Sequence, residues 1–358
     1  MFYHGFQLNL NEPYRMVKKI VIIVVLVALG CSSKNKSFNY SEVEIATVFS
    51  DSVSIRAIEF LDDNTLAFAG NNGVYGSIDV RTNTVRANVQ KFDSILPEFR
   101  AIAHTKNDFF MLSVASPALL YKTGEKGKME LVYSEEGEGV FYDSMKFWND
   151  REGIAIGDGA DGCLSIIITR DGGKNWMKIP CDSLPNLEES VGAYAASNTN
   201  IEIVGDKCWI MTSIEYTLFS EDRGKTWAAI KTPILMTELF QGIYSIDFYN
   251  GNLGYGIGGS FKVTDVKKSN KIITVDGGKT WELIAEGQEP GYKSCVQFIP
   301  KSGGKDMVAV GFTGVSYSKD GGHNWESLSE EGFYTIRFLN SSTAYAAGKN
   351  KIAKLVFK

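Results

Sequence analysis

The chain repeats one eight-residue turn four times, and that repetition constrains its fold more than any other feature. The copies occupy 169–176, 220–227, 274–281 and 318–325, each reading Ser/Thr-x-Asp-x-Gly-x-Thr/Asn-Trp. Recurrence about every 45–55 residues is the period of a β-propeller built blade by blade. In each copy the aspartate (Asp171, Asp222, Asp276, Asp320) can accept hydrogen bonds from the backbone of its own turn. The glycine supplies a left-handed conformation that a β-carbon would oppose. The tryptophan (Trp176, Trp227, Trp281, Trp325) opens the next strand and buries a flat surface against the neighbouring layer. These aspartates therefore read as staples, not as acids.

A second pattern marks the innermost strand of each unit: a short apolar stretch, a turn, then a strand that often ends in glycine. It occurs at 55–60, 99–104, 142–147, 193–197, 244–248, 294–298 and 334–338. The period of about 40–50 residues suits four-stranded blades. The predicted fold is all-β, a single propeller of seven four-stranded blades, or six where weak units merge. The last unit lacks a strand, and residues 42–49 alternate like one. Placed as the outer strand of the last blade, that N-terminal segment closes the ring and removes an exposed edge.

Residues 1–30 read as a targeting segment, with Met16 as the better start. Lys18 and Lys19 precede an apolar run too short to span a bilayer. The sequence Ala28-Leu29-Gly30-Cys31 resembles a bacterial lipoprotein cleavage site, which implies that Cys31 is acylated. Residues 31–38 then form a tether and 39–358 the propeller. Acidic residues after the cysteine tend to direct such proteins to the cell surface. The tether is polar and basic instead, so an outer-membrane anchor facing the periplasm is expected. Export would place the remaining cysteines in an oxidising compartment. Cys163 and Cys181 flank the first repeated turn, but strand register sets Leu164 opposite Cys181 and Cys163 on the other face. That register argues against a disulfide and leaves the pairing open.

Equivalent positions on the inner strands converge on one ring around the channel mouth. They are Arg56, Arg100, Asp143, Ala193, Tyr244, Ser294 and Tyr334. Arg56, Arg100, Asp143, Tyr244 and Tyr334 make a polar, aromatic, partly cationic funnel, suited to carboxylate, sugar or peptide-terminus recognition. The competing reading is that both arginines pair with nearby acids and brace the channel. Asp158 and Asp161 form a second cluster, but two carboxylates fall short of the six to eight oxygens calcium takes, and a solvated loop is expected. The insertion 180–190 carries Asp182, Glu188 and Glu189 and is read as a flap beside the funnel. Three histidines, His4, His104 and His323, cannot build a metal site, and no phosphate loop or dinucleotide fingerprint is present. No cofactor is expected. The net charge of −5 argues against a nucleic-acid partner.

The repeated turns resemble Asp-boxes, also called BNR repeats. With these inner strands, residues 54–358 are similar to the photosystem II stability/assembly-factor-like propellers. The similar stretches are Ser54-Ile-Arg56-Ala-Ile58, Glu98-Phe-Arg100-Ala-Ile102, Phe141-Tyr-Asp143-Ser-Met-Lys-Phe147 running on through 153–162, and Gly192-Ala-Tyr-Ala-Ala-Ser197. The chain departs where relatives often carry glutamate (here Val191) and proline (here Gly159), which weakens any acid role there. This resemblance implies an assembly or scaffolding role: a monomer that binds an envelope protein or glycan without turnover. A more distant resemblance to sialidases implies a glycosidase, with Arg56, Arg100 and Arg337 imitating an arginine triad, Tyr244 or Tyr334 as nucleophile and Asp143 as acid. That set is incomplete: no glutamate partners the tyrosine, the usual Phe-Arg-Ile-Pro is Phe99-Arg100-Ala101-Ile102 here, and strand alternation turns Arg337 away.

Overall fold

The computed structural model describes residues 1–2, 38–159, 163–187 and 191–358. Cys31, Asp161, Glu188 and Glu189 lie outside the described residues. Residues 38–358 form an all-β propeller. Hydrogen bonds gather its strands into six sheets, five of four strands and one of six. Counted as sheets, the propeller has six blades, the lower number the repeats allow.

The six-stranded sheet is the closing one, and it explains the count. The strand Val43–Asp62 pairs through its first half with residues 351–357 and through its second half, from Ile55, with Thr65–Gly70. The C-terminal strand Thr343–Phe357 doubles back near Asn350 (φ 64°), so that Phe357 N–H reaches the Ser342 carbonyl. Its first half pairs with Thr335–Phe338. One long N-terminal strand thus belongs to the first and the last repeat unit at once and fuses them into one sheet. The ring is closed by strands from both chain ends, as the alternation of residues 42–49 predicts.

Hydrophobic clusters lie between successive units, and the repeated turns feed them. Trp176 packs edge-on against Phe110 of the preceding unit and Phe147 of its own, and Trp281 against Phe248 of its own unit in the same way. Trp325 joins Tyr255, and Trp227 is half-buried on the cluster around Ile168 and Ile210. Each turn is held by its own aspartate. Asp222 accepts the N–H groups of Lys225 and Thr226, both at 2.9 Å, and the hydroxyls of Ser220 and Thr226. Those donors hold its carboxyl at about 2, although burial pulls the other way. Gly278 (φ 78°) must lack a β-carbon, which would stand 2.5 Å from Trp209 Nε1.

Two local expectations are corrected. Cys163 and Cys181 are bonded, with Cα atoms 5.7 Å apart. The register argument is right up to Met177 and Lys178, which pair with Ile168 and Ile167. The strand then stops at Pro180, and Cys181 sits in a 3-10 turn, Cys181–Ser183, that frees it from strand alternation. The described part of the 180–190 insertion is therefore no flap. The disulfide pins it, and Leu184 is buried in the core between the third and fourth units.

Candidate functional site

The fourth inner strand is Ile201–Val204, not 193–197. Residues 193–200 instead cross the axis and plug the channel. Small side chains (Ala193, Ala195, Ala196, Ser197) fit the narrow axis, and the run Ser197-Asn-Thr-Asn200 is a turn signature. Asn198 takes the left-handed conformation (φ 60°) that asparagine tolerates. Its side chain donates to the Ile102 carbonyl at 2.8 Å and accepts the Met145 N–H at 3.0 Å. Ser197 donates to the Ser294 carbonyl, its own carbonyl accepts from Thr335, and Thr199 reaches Ser245. One segment thus ties together inner strands from all around the ring. Gly192 begins it, and a β-carbon there would lie 2.1 Å from Asp158 Oδ1.

Above this plug lies a bowl of about 810 Å3. Arg56, Arg100, Tyr244 and Asp158 line it. Tyr334 supports it from below, where the Arg56 guanidinium stacks 4.0 Å over the Tyr334 ring. The two arginines differ in one respect. Arg100 is paired with Glu98 at 2.6 Å. Among the described residues Arg56 has no carboxylate partner: Nη1 donates to the Ala196 carbonyl at a long 3.4 Å, and Nε, cut off from solvent, has no acceptor there. Burial, then the charge of Arg100, pulls the Arg56 pKa down, against the tyrosines Tyr334 and Tyr292 and Glu98.

Asp143 is fully buried and does not line the bowl. Among the described residues neither carboxylate oxygen finds a partner of good geometry. Burial, then the nearby Asp158, pushes its pKa well up, and Arg100 and the Ala195 backbone offset only part of this. Asp158 is no solvated loop residue. Its Oδ1 accepts the Ala193 N–H at 2.9 Å, anchoring the plug, and burial raises its pKa too. Tyr244 is buried under the bowl, stacked on Tyr194 with ring centres 3.8 Å apart, and its hydroxyl donates to the Phe240 carbonyl at 2.7 Å. Burial and the neighbouring tyrosines raise its pKa far above that of free tyrosine, opposite to an activated nucleophile.

Sequence reasoning missed Tyr194 and Tyr292, which complete an aromatic wall with Tyr244. It also missed the ring three positions further along the inner strands. There Arg337 pairs with Glu59 and Lys146 with Glu202, on the far side of the plug from the bowl's arginines. Arg337 is 5% exposed and does not join Arg56 and Arg100. Advancing each ring position by three residues (Arg56 to Glu59, Asp143 to Lys146, Tyr334 to Arg337) would have found this ring from the sequence. Among the described residues no group of three or more His, Cys, Asp or Glu side chains is placed to hold a metal ion.

The fold and site define a β-propeller with a plugged axis and one arginine- and tyrosine-lined bowl. The sequence matches no family model and no curated protein. Among solved structures the chain is similar to YCF48 bound to D1 peptide, at 14% identity and a TM-score of 0.63, covering 90% of this chain and 99% of that one. It is also similar to YCF48 from Cyanidioschyzon merolae, at 12% identity and 0.61, covering 87% and 98%. At these identities the likeness establishes the fold.

Proposed function

We propose that this protein is a non-catalytic binding propeller that holds an extended segment of a partner protein in the bowl. It would serve an assembly or scaffolding role in the cell envelope, tethered through an acylated Cys31 and facing the periplasm. Arg56 carries the reading. A guanidinium with no carboxylate partner among the described residues, stacked on Tyr334 beside a second arginine and lining the bowl, is an uncompensated cation whose outer nitrogens can take an anion. A planar carboxylate matches its fork and would neutralise the repulsion from Arg100. Two further observations support the reading: a propeller of this fold is known bound to D1 peptide, and the sequence resembles assembly-factor-like propellers. The glycosidase alternative finds less support, because the Tyr244 hydroxyl is committed to a backbone carbonyl and Asp143 lies beneath the bowl's surface.

Selection from a displayed random peptide library should enrich carboxylate-bearing peptides, and Arg56→Glu with Arg100→Glu should abolish that enrichment without lowering the melting temperature. Equal enrichment by the double variant would remove the bowl from the mechanism. A fluorogenic glycoside panel, sialosides included, should show no turnover. Hydrolysis that vanishes in Arg56→Ala/Arg100→Ala would replace the binding role with a glycosidase.

A further inference from the structure

The bowl has two unlike sides. Arg56 and Arg100 belong to the first and second units. The opposite rim is the loop entering the fifth inner strand, and it presents large apolar side chains to solvent: Leu235 is 65% exposed, Leu239 68% and Phe240 45%. Phe261 stacks on Phe240 with ring centres 5.0 Å apart, and Phe312 continues the rim from Tyr292, its ring 5.1 Å away. Scattered exposed apolar residues are ordinary, but a contiguous patch beside a pocket marks an interaction surface.

The exposure is enforced by the backbone. Phe240 is left-handed (φ 58°), a conformation uncommon for a bulky residue. Its carbonyl is held by Tyr244, and the Leu239 carbonyl by Ser260, each at 2.7 Å. Gln241, 1% exposed, accepts through Oε1 from Thr237 N–H, Thr237 Oγ1 and Glu238 N–H, while its Nε2 donates to the Lys268 carbonyl. A buried polar network therefore fixes a loop whose apolar side chains face water. Tyr244 belongs both to that network and to the aromatic wall under the arginines, so the two sides share one rigid support. Glu238 also lines the bowl on the apolar side. Its charge disfavours a second acid there and confines a ligand's carboxylate to Arg56.

We infer that the 235–240 loop with Phe261 and Phe312 is the apolar half of one peptide-binding surface. Its occupant is an extended partner segment with bulky apolar side chains next to a carboxylate. This rests on the binding role proposed for Arg56 and adds the partner's chemistry: charge alone does not suffice, and polyanions are poor ligands.

The test uses the purified protein and fluorescence anisotropy with a labelled ten-residue peptide that ends in a free carboxylate preceded by a leucine–phenylalanine pair. Two control peptides carry an amidated terminus, or serines in place of the pair. Each control should bind at least about tenfold more weakly than the parent peptide. Phe240→Asn with Phe261→Ser should weaken the parent peptide at least tenfold and leave the serine peptide unchanged, whereas Arg56→Ala weakens both. Asparagine tolerates the left-handed position, and a thermal melt checks folding. If the parent and serine peptides bind alike, or the phenylalanine variant binds the parent peptide as wild type does, the apolar half is overturned while the role of Arg56 stands. If Arg56→Ala changes nothing, or no peptide binds at millimolar concentration, both fall. Binding only to phosphatidylglycerol vesicles, lost in the phenylalanine variant, would replace the peptide with a membrane surface.

Discussion

Three arginines in three settings give the sharpest test of whether Arg56 is a ligand-binding group or a brace. Consider Arg56→Met, which keeps the aliphatic stem and removes the guanidinium. The loss is the stacking on Tyr334, worth about 0.5–2 kcal/mol for a desolvated pair, and one long hydrogen bond to Ala196. The gain is relief of a buried Nε–H with no acceptor, about 1–3 kcal/mol, and of the repulsion from Arg100. These nearly cancel, so stability should stay within about 1 kcal/mol of wild type, or rise. At about 2.1 cal/mol/K per residue, a domain of about 320 residues shifts by about 1.5 °C per kcal/mol, so the melting temperature should move by no more than about 2 °C, while peptide binding is lost. Arg337→Met is the control. It strands the half-buried Glu59 and breaks the Nη1 bonds to Thr335 and the Ile336 carbonyl, which outweighs relief of its own Nη2 without an acceptor; breaking such a pair costs about 3–5 kcal/mol, a fall of about 4–8 °C. Arg100→Met loses a pair with Glu98 that is partly solvated, worth about 1 kcal/mol or less. Differential scanning calorimetry of the three variants, in parallel, reads the order. A fall for Arg56→Met as large as that for Arg337→Met would make Arg56 a brace and refute the reasoning.

Other consequences follow from the same structure. Deleting residues 38–50 removes the packing of Phe38, Tyr40, Val43 and Ile45 on the last unit; at about 1 kcal/mol for each half-buried side chain, the melting temperature should fall by about 6 °C, and an unchanged melt would remove the closure. Replacing Cys163 and Cys181 together with serine opens a loop of sequence separation 18, which the chain-entropy relation values at about 3 kcal/mol; a denaturant titration that shows under about 1 kcal/mol would contradict it. Asp143→Asn removes a buried carboxylate with no hydrogen bond of good geometry among the described residues, so it should stabilise at pH 7 by about 1–3 kcal/mol. The sign follows from linkage. The folded pKa is raised, so the wild-type carboxyl contributes its stability below the unfolded value near 3.9 and loses it as pH rises through the folded value. The gap between variant and wild type should therefore close as pH falls towards 4 in pH-dependent urea melts; a gap that widens on acidification would show that Asp143 is stabilising when ionised.

Much of the fold was legible because its signals are local. A turn stapled by its own aspartate needs only the residues within it, so four copies announced a propeller, and the alternation of residues 42–49 located the closing strand. The site was legible in part. Rotational equivalence brought Arg56, Arg100 and Tyr244 to one bowl and set Tyr334 beneath Arg56, but it misplaced 193–197, because an apolar stretch in the expected place looks like a strand whether or not it pairs. Asp143, at an equivalent position, turned out to be fully buried and not to line the bowl. The Cys163–Cys181 pair was hidden by a register argument that fails where Pro180 ends the strand.

Sequence by itself determined the repeat, the staples and the residue types that meet at the axis, since each depends on chain neighbours or on a fixed period. Only the tertiary structure decided that the axis is plugged, that Glu98 takes Arg100 and leaves Arg56 without a carboxylate among the described residues, and that Phe240 is held out in water. Those outcomes are competitions, one carboxylate between two guanidiniums from different units and one loop between a buried Gln241 and its own apolar side chains. Such competitions are settled by distance and burial, which a period along the chain does not encode.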